Sequence, residues 1–241
     1  MAEKTSSLKI TMLRNQDLSE RAMSDSKIEI WGAETARTFR PIWMAEELGL
    51  VYRHQPIEPR TGETQTASYT ALNRKQKVPF LVDGEVRVSE SLAICRYLAQ
   101  RYPSAAVHVP KTLLEQTKED EWCCYIYGEI DETALYVMRR HGDLAEIYGA
   151  APNVIEATKA YLARHMDILA NHLEGRKSVL DVGFGVADIM LVSCIDWAVF
   201  YQVDVPPSVI AYRDHIAERP AYQKAMAFNY PKLFGGLAAA N

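Results

Sequence analysis

The sequence has no excess of positive charge and no long apolar run. Its 241 residues hold 27 Lys and Arg against 31 Asp and Glu, a net charge of −4. Binding of nucleic acid or of anionic membranes needs a concentrated basic face, which this balance gives no reason to expect. A membrane-spanning helix needs about 20 apolar residues, and no run approaches that length. We therefore expect no nucleic-acid partner and no membrane association.

The sequence is also poor in cysteine and has no metal-ligand spacing. Its four cysteines form no C-x-x-C pair, and its six histidines are scattered along the chain. We expect no structural disulfide and no metal, and a cytoplasmic location is the default for such a chain. Residues 1–26 are polar and of mixed charge, without the apolar centre of a secretory signal, and predict a polar N-terminal extension.

The pattern along the chain predicts two domains. Residues 27–103 combine strands and helices, whereas residues 111–241 contain only helical patterns, and a segment bounded by Pro103 and Pro110 separates them. The length of the chain is compatible with two small domains. We therefore predict an α/β N-terminal domain and an all-α C-terminal domain.

Within the first domain, residues 27–31 alternate polar and apolar side chains and predict a strand. A helix is predicted over 38–48 with Thr38 as N-cap, because Pro41 then lies in the first turn, where its missing N–H costs nothing. Asp83-Gly84 predicts a tight hairpin turn between two strands. A further helix is predicted to begin at Ser89-Glu90-Ser91 and to run to residue 101.

The second domain is predicted to contain one long helix over 111–141, bent near Gly128, followed by a helix over 153–174. Residues 185–202 are almost all apolar and predict a buried central helix. Two shorter helices, over 207–219 and 221–228, are expected to close the domain.

Four segments together resemble the glutathione S-transferase family. They are KVPFLVDG at 77–84 followed by SESLAI at 89–94, FRPIWMAEELGL at 39–50, FGVADI at 184–189, and ERP at 218–220. They stand in the family's order and spacing over about residues 27–230. The resemblance implies a thioredoxin-like N-terminal domain, an all-α helical bundle, a homodimer, and glutathione as co-substrate.

Two motifs are the candidate glutathione-binding residues. A helix N-terminus at 89–91 favours a carboxylate, Ser91 adds a hydroxyl, and Glu90 suits the ammonium of a γ-glutamyl group. The alternative is a plain N-cap beside a solvated carboxylate. Val78-Pro79 resembles the family's cis-proline site, where Val78 would offer its N–H and C=O to glutathione. Without that resemblance a trans bond is expected.

Lys77 is the candidate for the glycyl carboxylate of glutathione. The family often has Asn-Pro-x-Gly ahead of this lysine, and here residues 73–76 read Asn-Arg-Lys-Gln. Gln76 is therefore a competing ligand.

The residue that activates the thiol is expected in the loop 33–38. A thiol with a pKa of about 8.5 needs a hydrogen-bond donor to become a thiolate at neutral pH. This loop lacks the Tyr, Ser or Cys usual in the family, so Thr35 is the candidate by position and Thr38 the second. Arg37 is a candidate for electrostatic help. Alternatively, Ala36 occupies the key position and leaves it without a hydroxyl.

In the helical domain, Asp188 is expected to cap the buried helix together with Gly185 and to have a structural role. An electrophile site is expected between the domains. Its aromatic wall is predicted from the residues Trp122, Tyr125, Tyr127 and Tyr136, which alternatively form the bundle core.

The sequence thus predicts a glutathione transferase that promotes attack of the thiolate on an electrophilic, apolar or planar substrate, without a metal. A non-catalytic glutathione-binding protein of the same fold is the alternative. A glutathione-dependent dehalogenase, ether-cleaving enzyme or isomerase remains a third possibility.

Overall fold

The computed structural model describes residues 26–232. The N-terminal domain is a four-stranded sheet with the strands β1 (Ile28–Trp31), β2 (Arg53–Gln55), β3 (Phe80–Asp83) and β4 (Val86–Ser89) in the order β2-β1-β3-β4. β1 is parallel to β2 and antiparallel to β3, and β3 is antiparallel to β4. The helices of this domain are α1 (Ala36–Glu47), α2 (Ala67–Leu72) and α3 (Ser91–Arg101). This is the predicted thioredoxin-like arrangement.

The hairpin between β3 and β4 is present one residue later than predicted. Asp83 pairs with Val86, so the two turn residues are Gly84 and Glu85 rather than Asp83 and Gly84. Gly84 has a φ of +58°, a conformation that glycine adopts without a steric penalty.

Helix α1 begins a turn earlier than predicted, and Thr35 rather than Thr38 is its N-cap. The Thr35 hydroxyl accepts from the Thr38 N–H at 3.0 Å, and the Thr38 hydroxyl accepts from the Thr35 N–H at 3.1 Å. Pro41 is therefore inside the helix. The prediction from Pro41 was wrong because this reciprocal cap satisfies two backbone donors, whereas the proline removes one internal hydrogen bond.

The second domain is helical throughout the described residues. Its elements are α4 (Leu113–Tyr125), a π-helical segment (Ile126–Leu135), α5 (Tyr136–His141), α6 (Ala145–Tyr148), α7 (Pro152–Leu173), α8 (Val186–Phe200), α9 (Pro207–Ala217) and α10 (Pro220–Asn229). The long helix predicted over 111–141 contains the π-helical segment, which includes Gly128 and is a backbone form that often accompanies functional sites. None of the described helices is long and apolar enough to cross a membrane.

Asp188 has the predicted structural role at the start of the buried helix α8. Its carboxylate accepts from the Gly185 N–H at 2.8 Å, the Val179 N–H at 2.7 Å and the Tyr212 hydroxyl at 2.5 Å. Burial raises the pKa of Asp188 to about 6, although these three hydrogen bonds act in the opposite direction.

Helix α1 connects the two domains. Trp43 stacks on Phe39 with ring centroids 5.3 Å apart and meets the edge of Tyr222 of α10 at 5.1 Å. The Arg219 guanidinium binds both oxygens of the buried Glu47 carboxylate, at 2.6 and 2.7 Å. Packing of α1 on both sides fixes the position of its N-terminus relative to the helical domain.

Candidate active site

A cleft of about 240 Å³ lies between the start of α1 and the helical domain. We call its first side the N-terminal wall, which consists of Thr35, Ala36, Arg37, Pro59, Arg60, Gln65, Gln76, Lys77 and Val78. The other side is the helical wall, which consists of Tyr136, Arg139, Tyr148 and Trp197. The cleft therefore brings together Thr35, Lys77 and Val78 with three further candidates from the sequence, Arg37, Gln76 and Tyr136.

Of the two threonines predicted to activate the thiol, only Thr35 lines the cleft. Thr38 is fully buried, and its hydroxyl donates to Asn229 Oδ1 at 2.7 Å. The two threonine hydroxyl oxygens lie 3.0 Å apart. The Thr38 hydroxyl has two further acceptors, Asn229 Oδ1 and the Thr35 carbonyl at 2.9 Å. With the Thr38 proton on either of them, the proton of Thr35 can point to Thr38 Oγ1 or into the cleft.

Asn229, at the end of α10, holds the loop that carries Thr35. The side-chain amide of Asn229 donates to the Thr35 carbonyl at 3.0 Å, and the backbone carbonyl of Asn229 accepts from the Glu34 N–H at 2.8 Å. Asn229 is completely buried. Sequence reasoning missed this residue because it lies far along the chain in a segment without a recognisable motif.

The Val78-Pro79 peptide bond is cis, as the resemblance implied. Among the described residues, no hydrogen bond involves the Val78 N–H or C=O. The preceding carbonyl, that of Lys77, is held by the Tyr69 hydroxyl at 2.7 Å and by the Asn73 amide at 2.8 Å. The backbone of Val78 is thus positioned at the cleft with both polar groups available to a ligand.

Glu90 and Ser91 lie at the start of α3, outside the residues that line the cleft. Glu90 is the N-cap residue of α3, with a φ of +74°, but its side chain does not cap the helix and its carboxylate is exposed. The Lys75 ammonium donates to Glu90 Oε1 at 3.0 Å and to Ser89 Oγ at 2.9 Å. An ammonium of this chain therefore occupies the place expected for the ammonium of glutathione.

A buried ion network joins α1 to the helical domain, and it was not predicted from the sequence. Arg40 and Asp131 are both fully buried, with Arg40 Nη2 2.6 Å from Asp131 Oδ2. Arg37 Nη2 lies 2.5 Å from Asp131 Oδ1. Arg40 also donates to Ser193 Oγ at 2.7 Å and to Ser91 Oγ at 3.2 Å. The network therefore links the starts of α1 and α3 to the π-helical segment and α8.

The charges in this network compensate one another. Burial alone would raise the pKa of Asp131, but the guanidiniums of Arg40 and Arg37 outweigh it and hold the pKa below its ordinary value. Burial likewise disfavours the charge on Arg37, yet Asp131 raises the pKa of Arg37 above its ordinary value. Arg37 also pairs with Glu132 at 3.0 Å. Because two carboxylates compensate Arg37, its contribution to the field in the cleft is small.

The aromatic wall predicted for the electrophile is only partly correct. Tyr136 lines the cleft, but Trp122, Tyr125 and Tyr127 do not. Trp122 packs on His172 with ring centroids 3.9 Å apart, and the Tyr125 hydroxyl bonds His165 Nδ1 at 2.7 Å. Both side chains therefore pack against α7. Tyr148 and Trp197 complete the wall in their place.

The thioredoxin-like domain, the helical bundle and a cleft at the N-terminus of α1 define a glutathione S-transferase fold. Residues 26–100 match the family model described as glutathione S-transferase, N-terminal domain. Glutathione S-transferase F9 of Arabidopsis thaliana is 26% identical over 216 residues, which cover 85% of this chain and 99% of the plant protein. Residues 26–100 therefore carry a glutathione S-transferase N-terminal domain, and the chain as a whole is similar to glutathione S-transferases.

Solved structures agree with this assignment. The theta class glutathione S-transferase of Xanthomonas axonopodis pv. citri, with glutathione bound, has a TM-score of 0.71 and 25% identity, and covers 83% of this chain and 97% of its own. Glutathione transferase URE2P8 of Phanerochaete chrysosporium, with oxidized glutathione, has a TM-score of 0.76 at 18% identity, and covers 87% of this chain and 97% of its own. The second comparison supports the fold.

Proposed function

We propose that this protein is a glutathione transferase that activates the glutathione thiolate for attack on an electrophilic substrate in the cleft. One observation carries the proposal: the Thr35 hydroxyl, at the N-terminus of α1, lines the same cleft as the unpaired backbone groups of Val78. The similar Xanthomonas protein is a glutathione complex, which supports glutathione as the ligand.

Glutathione would extend from the N-terminal wall to the start of α3. The Val78 N–H and C=O would pair with the cysteinyl unit next to Pro79, and Lys77 would bind the glycyl carboxylate, with Gln76 as the competing ligand. Ser91 and the N-terminus of α3 would bind the γ-glutamyl carboxylate. The Glu90 carboxylate would exchange Lys75 for the ammonium of glutathione. Because the Glu90 side chain is 55% exposed, this exchange needs no rearrangement of the core.

Thr35 would stabilise the thiolate by donating a hydrogen bond from its hydroxyl to the sulfur. The partial positive charge at the N-terminus of α1 acts in the same sense. The sulfur then forms a bond to the electrophilic carbon, the leaving group departs with the bonding electron pair, and the thiol proton is released to water. Preorganised donors aimed at a developing charge are a large source of catalysis, which gives Thr35 the catalytic role.

The alternative function is glutathione binding without turnover. One observation favours it. The Thr35 hydroxyl already accepts a hydrogen bond from the Thr38 N–H, and its own proton can be donated to Thr38 Oγ1 instead of to the sulfur. Glutathione-dependent dehalogenation, ether cleavage and isomerisation would use the same thiolate. The similarity to glutathione S-transferases also supports the proposals of a homodimer and a cytoplasmic location.

Calorimetric titration with glutathione and a parallel turnover assay test the proposal. The assay uses a panel of aryl halides, peroxides and isothiocyanates, and S-methylglutathione serves as a matched control that has no thiol. We expect glutathione to bind and at least one electrophile to be conjugated, with no product from S-methylglutathione. Binding without turnover on any member of the panel supports the binding-only alternative.

A further inference from the structure

The cleft is positively charged in a protein of net charge −4. Four cationic side chains and no carboxylate line it, within the described part of the chain. Three of the cations are Arg37, Arg60 and Lys77 on the N-terminal wall. Arg37 is compensated by carboxylates, and Arg60 and Lys77 stand on the side proposed for the glycyl end of glutathione. The fourth cation, Arg139, stands on the opposite wall and is not used by the proposed glutathione site.

Arg139 has no partner among residues 26–232. Its Nε atom is buried and makes no hydrogen bond, and no described carboxylate lies within ion-pair distance of its guanidinium. Asp143, four residues further along the chain, instead accepts from the Tyr201 hydroxyl at 2.5 Å. A buried donor without a partner is costly, so this guanidinium is suited to an acceptor that a ligand supplies.

Arg139 shares its wall of the cleft with three aromatic residues. Tyr136, Tyr148 and Trp197 form the rest of the helical wall. Arg60 reaches across the cleft and donates to the Tyr136 hydroxyl at 3.3 Å. The Arg60 guanidinium, with the charges of Lys77 and Arg140, lowers the pKa of Tyr148. The helical wall therefore combines flat apolar surfaces with a field that favours anions.

We propose that the electrophile conjugated in this cleft is a planar aromatic compound that carries an acidic group, and that Arg139 binds this group. The inference rests on the proposed function. Tyr136 and Trp197 would contact the ring while its reactive carbon faces the sulfur near Thr35. The apolar substrate expected from the sequence is thus narrowed to an aromatic anion, because a guanidinium stands among the aromatic rings of the wall.

Two probes that differ in charge test this inference. The acid is 4-chloro-3,5-dinitrobenzoate and the neutral partner is its methyl ester, each normalised to its uncatalysed rate with glutathione. Sulfur displaces chloride in both. We expect the wild-type protein to have the higher normalised kcat/KM for the acid. Arg139→Gln should lower the value for the acid about tenfold or more, as expected for loss of a charged hydrogen bond, and leave the ester within about twofold.

Arg164→Gln is the matched control. It removes the same charge from an exposed side chain of α7 that does not line the cleft. We expect it to leave the acid-to-ester ratio unchanged, and we expect both variants to keep the wild-type KM for glutathione and the wild-type melting temperature. A wild-type ratio that favours the ester would overturn the inference. So would an Arg139→Gln variant that only raises the KM for glutathione, since Arg139 would then belong to the glutathione site.

Calorimetry separates failure of this inference from failure of the proposed function. The probe is 3,5-dinitrobenzoate, which has no leaving group. If the protein conjugates neither the acid nor the ester but binds dinitrobenzoate, and Arg139→Gln loses that binding, the anion site is supported and conjugation is rejected. Conjugation of the ester without preference for the acid, together with dinitrobenzoate binding that Arg139→Gln does not change, rejects the anion site and retains conjugation.

Discussion

The two walls of the cleft are built in different ways. The N-terminal wall presents the start of a helix and the backbone of Val78, which short sequence motifs position locally. The helical wall presents side chains from three separate helices, α5, α6 and α8. The N-terminal wall suits a ligand whose peptide backbone is constant, such as glutathione. The helical wall can change with single substitutions and therefore suits the electrophile, which is the variable substrate of the reaction.

Asp131 connects the two walls. It lies on the π-helical segment and binds Arg37 and Arg40 of α1, so a single buried carboxylate fixes the start of α1 against the helical domain. Asp188 is equally buried, but it is held by neutral donors within one domain. At these two aspartates, the contact between the domains is made by ion pairs, whereas the contact within the bundle is made by neutral hydrogen bonds.

The largest expected effect is that of Asp131→Ala. Removing this carboxylate leaves the fully buried Arg40 without its counter-charge, which typically costs about 3–5 kcal/mol of stability. Urea unfolding measures the loss. The matched control is Glu132→Gln, which removes a 38% exposed partner of the same Arg37 and should cost less than about 1 kcal/mol. Equal losses in the two variants would contradict a special role for Asp131.

The Asp131 carboxylate should also make the free energy of unfolding depend on pH. The pKa of Asp131 is depressed in the folded protein relative to about 3.9 in the unfolded chain. Its contribution is therefore present above about pH 4 and is lost as the pH falls through the lower, folded value. Unfolding free energies measured from pH 5 downwards should fall more steeply for the wild type than for Asp131→Asn.

The next effect is on turnover. Thr35→Ala removes the proposed donor to the thiolate and should lower kcat about 10²- to 10³-fold. Thr35→Ser keeps both the hydroxyl and the cap and should remain within a few-fold of the wild type. Because the loss of the cap costs about 0.5–2 kcal/mol, urea unfolding of both variants separates stability from catalysis. Full kcat in Thr35→Ala would favour the alternative in which Ala36 holds the position without a hydroxyl.

The smallest expected effect is that of Lys77→Gln on glutathione affinity. Lys77 is exposed, so its pairing with the glycyl carboxylate is worth at most about 1 kcal/mol, and the KM for glutathione should rise up to about fivefold with kcat unchanged. Lys75→Gln removes the same charge two residues earlier but frees Glu90. Steady-state kinetics should show an unchanged or lower KM for glutathione in that control. A KM that rises in Lys75→Gln but not in Lys77→Gln would mean that Lys75, and not Lys77, binds the glycyl carboxylate.

Local motifs predicted more of the N-terminal wall than of the helical wall, where only Tyr136 was expected. The segment KVPF predicted Val78 at the cleft because neighbouring residues build that position. The start of α1 was misplaced because the capping pair Thr35 and Thr38 outweighed the signal from Pro41. Asp131, Asn229 and Arg139 could not be found in this way, since their roles depend on contacts between residues far apart in the chain.

The central claim is that Thr35 at the cleft stabilises the glutathione thiolate. Thiolate absorbance in the ultraviolet, titrated against pH with glutathione bound, measures the pKa of that thiol directly. We expect the bound thiol to ionise well below its ordinary value of about 8.5 in the wild type and in Thr35→Ser, and to return towards that value in Thr35→Ala. A bound thiol whose pKa is unchanged in the wild type, or equally low in Thr35→Ala, would contradict the claim.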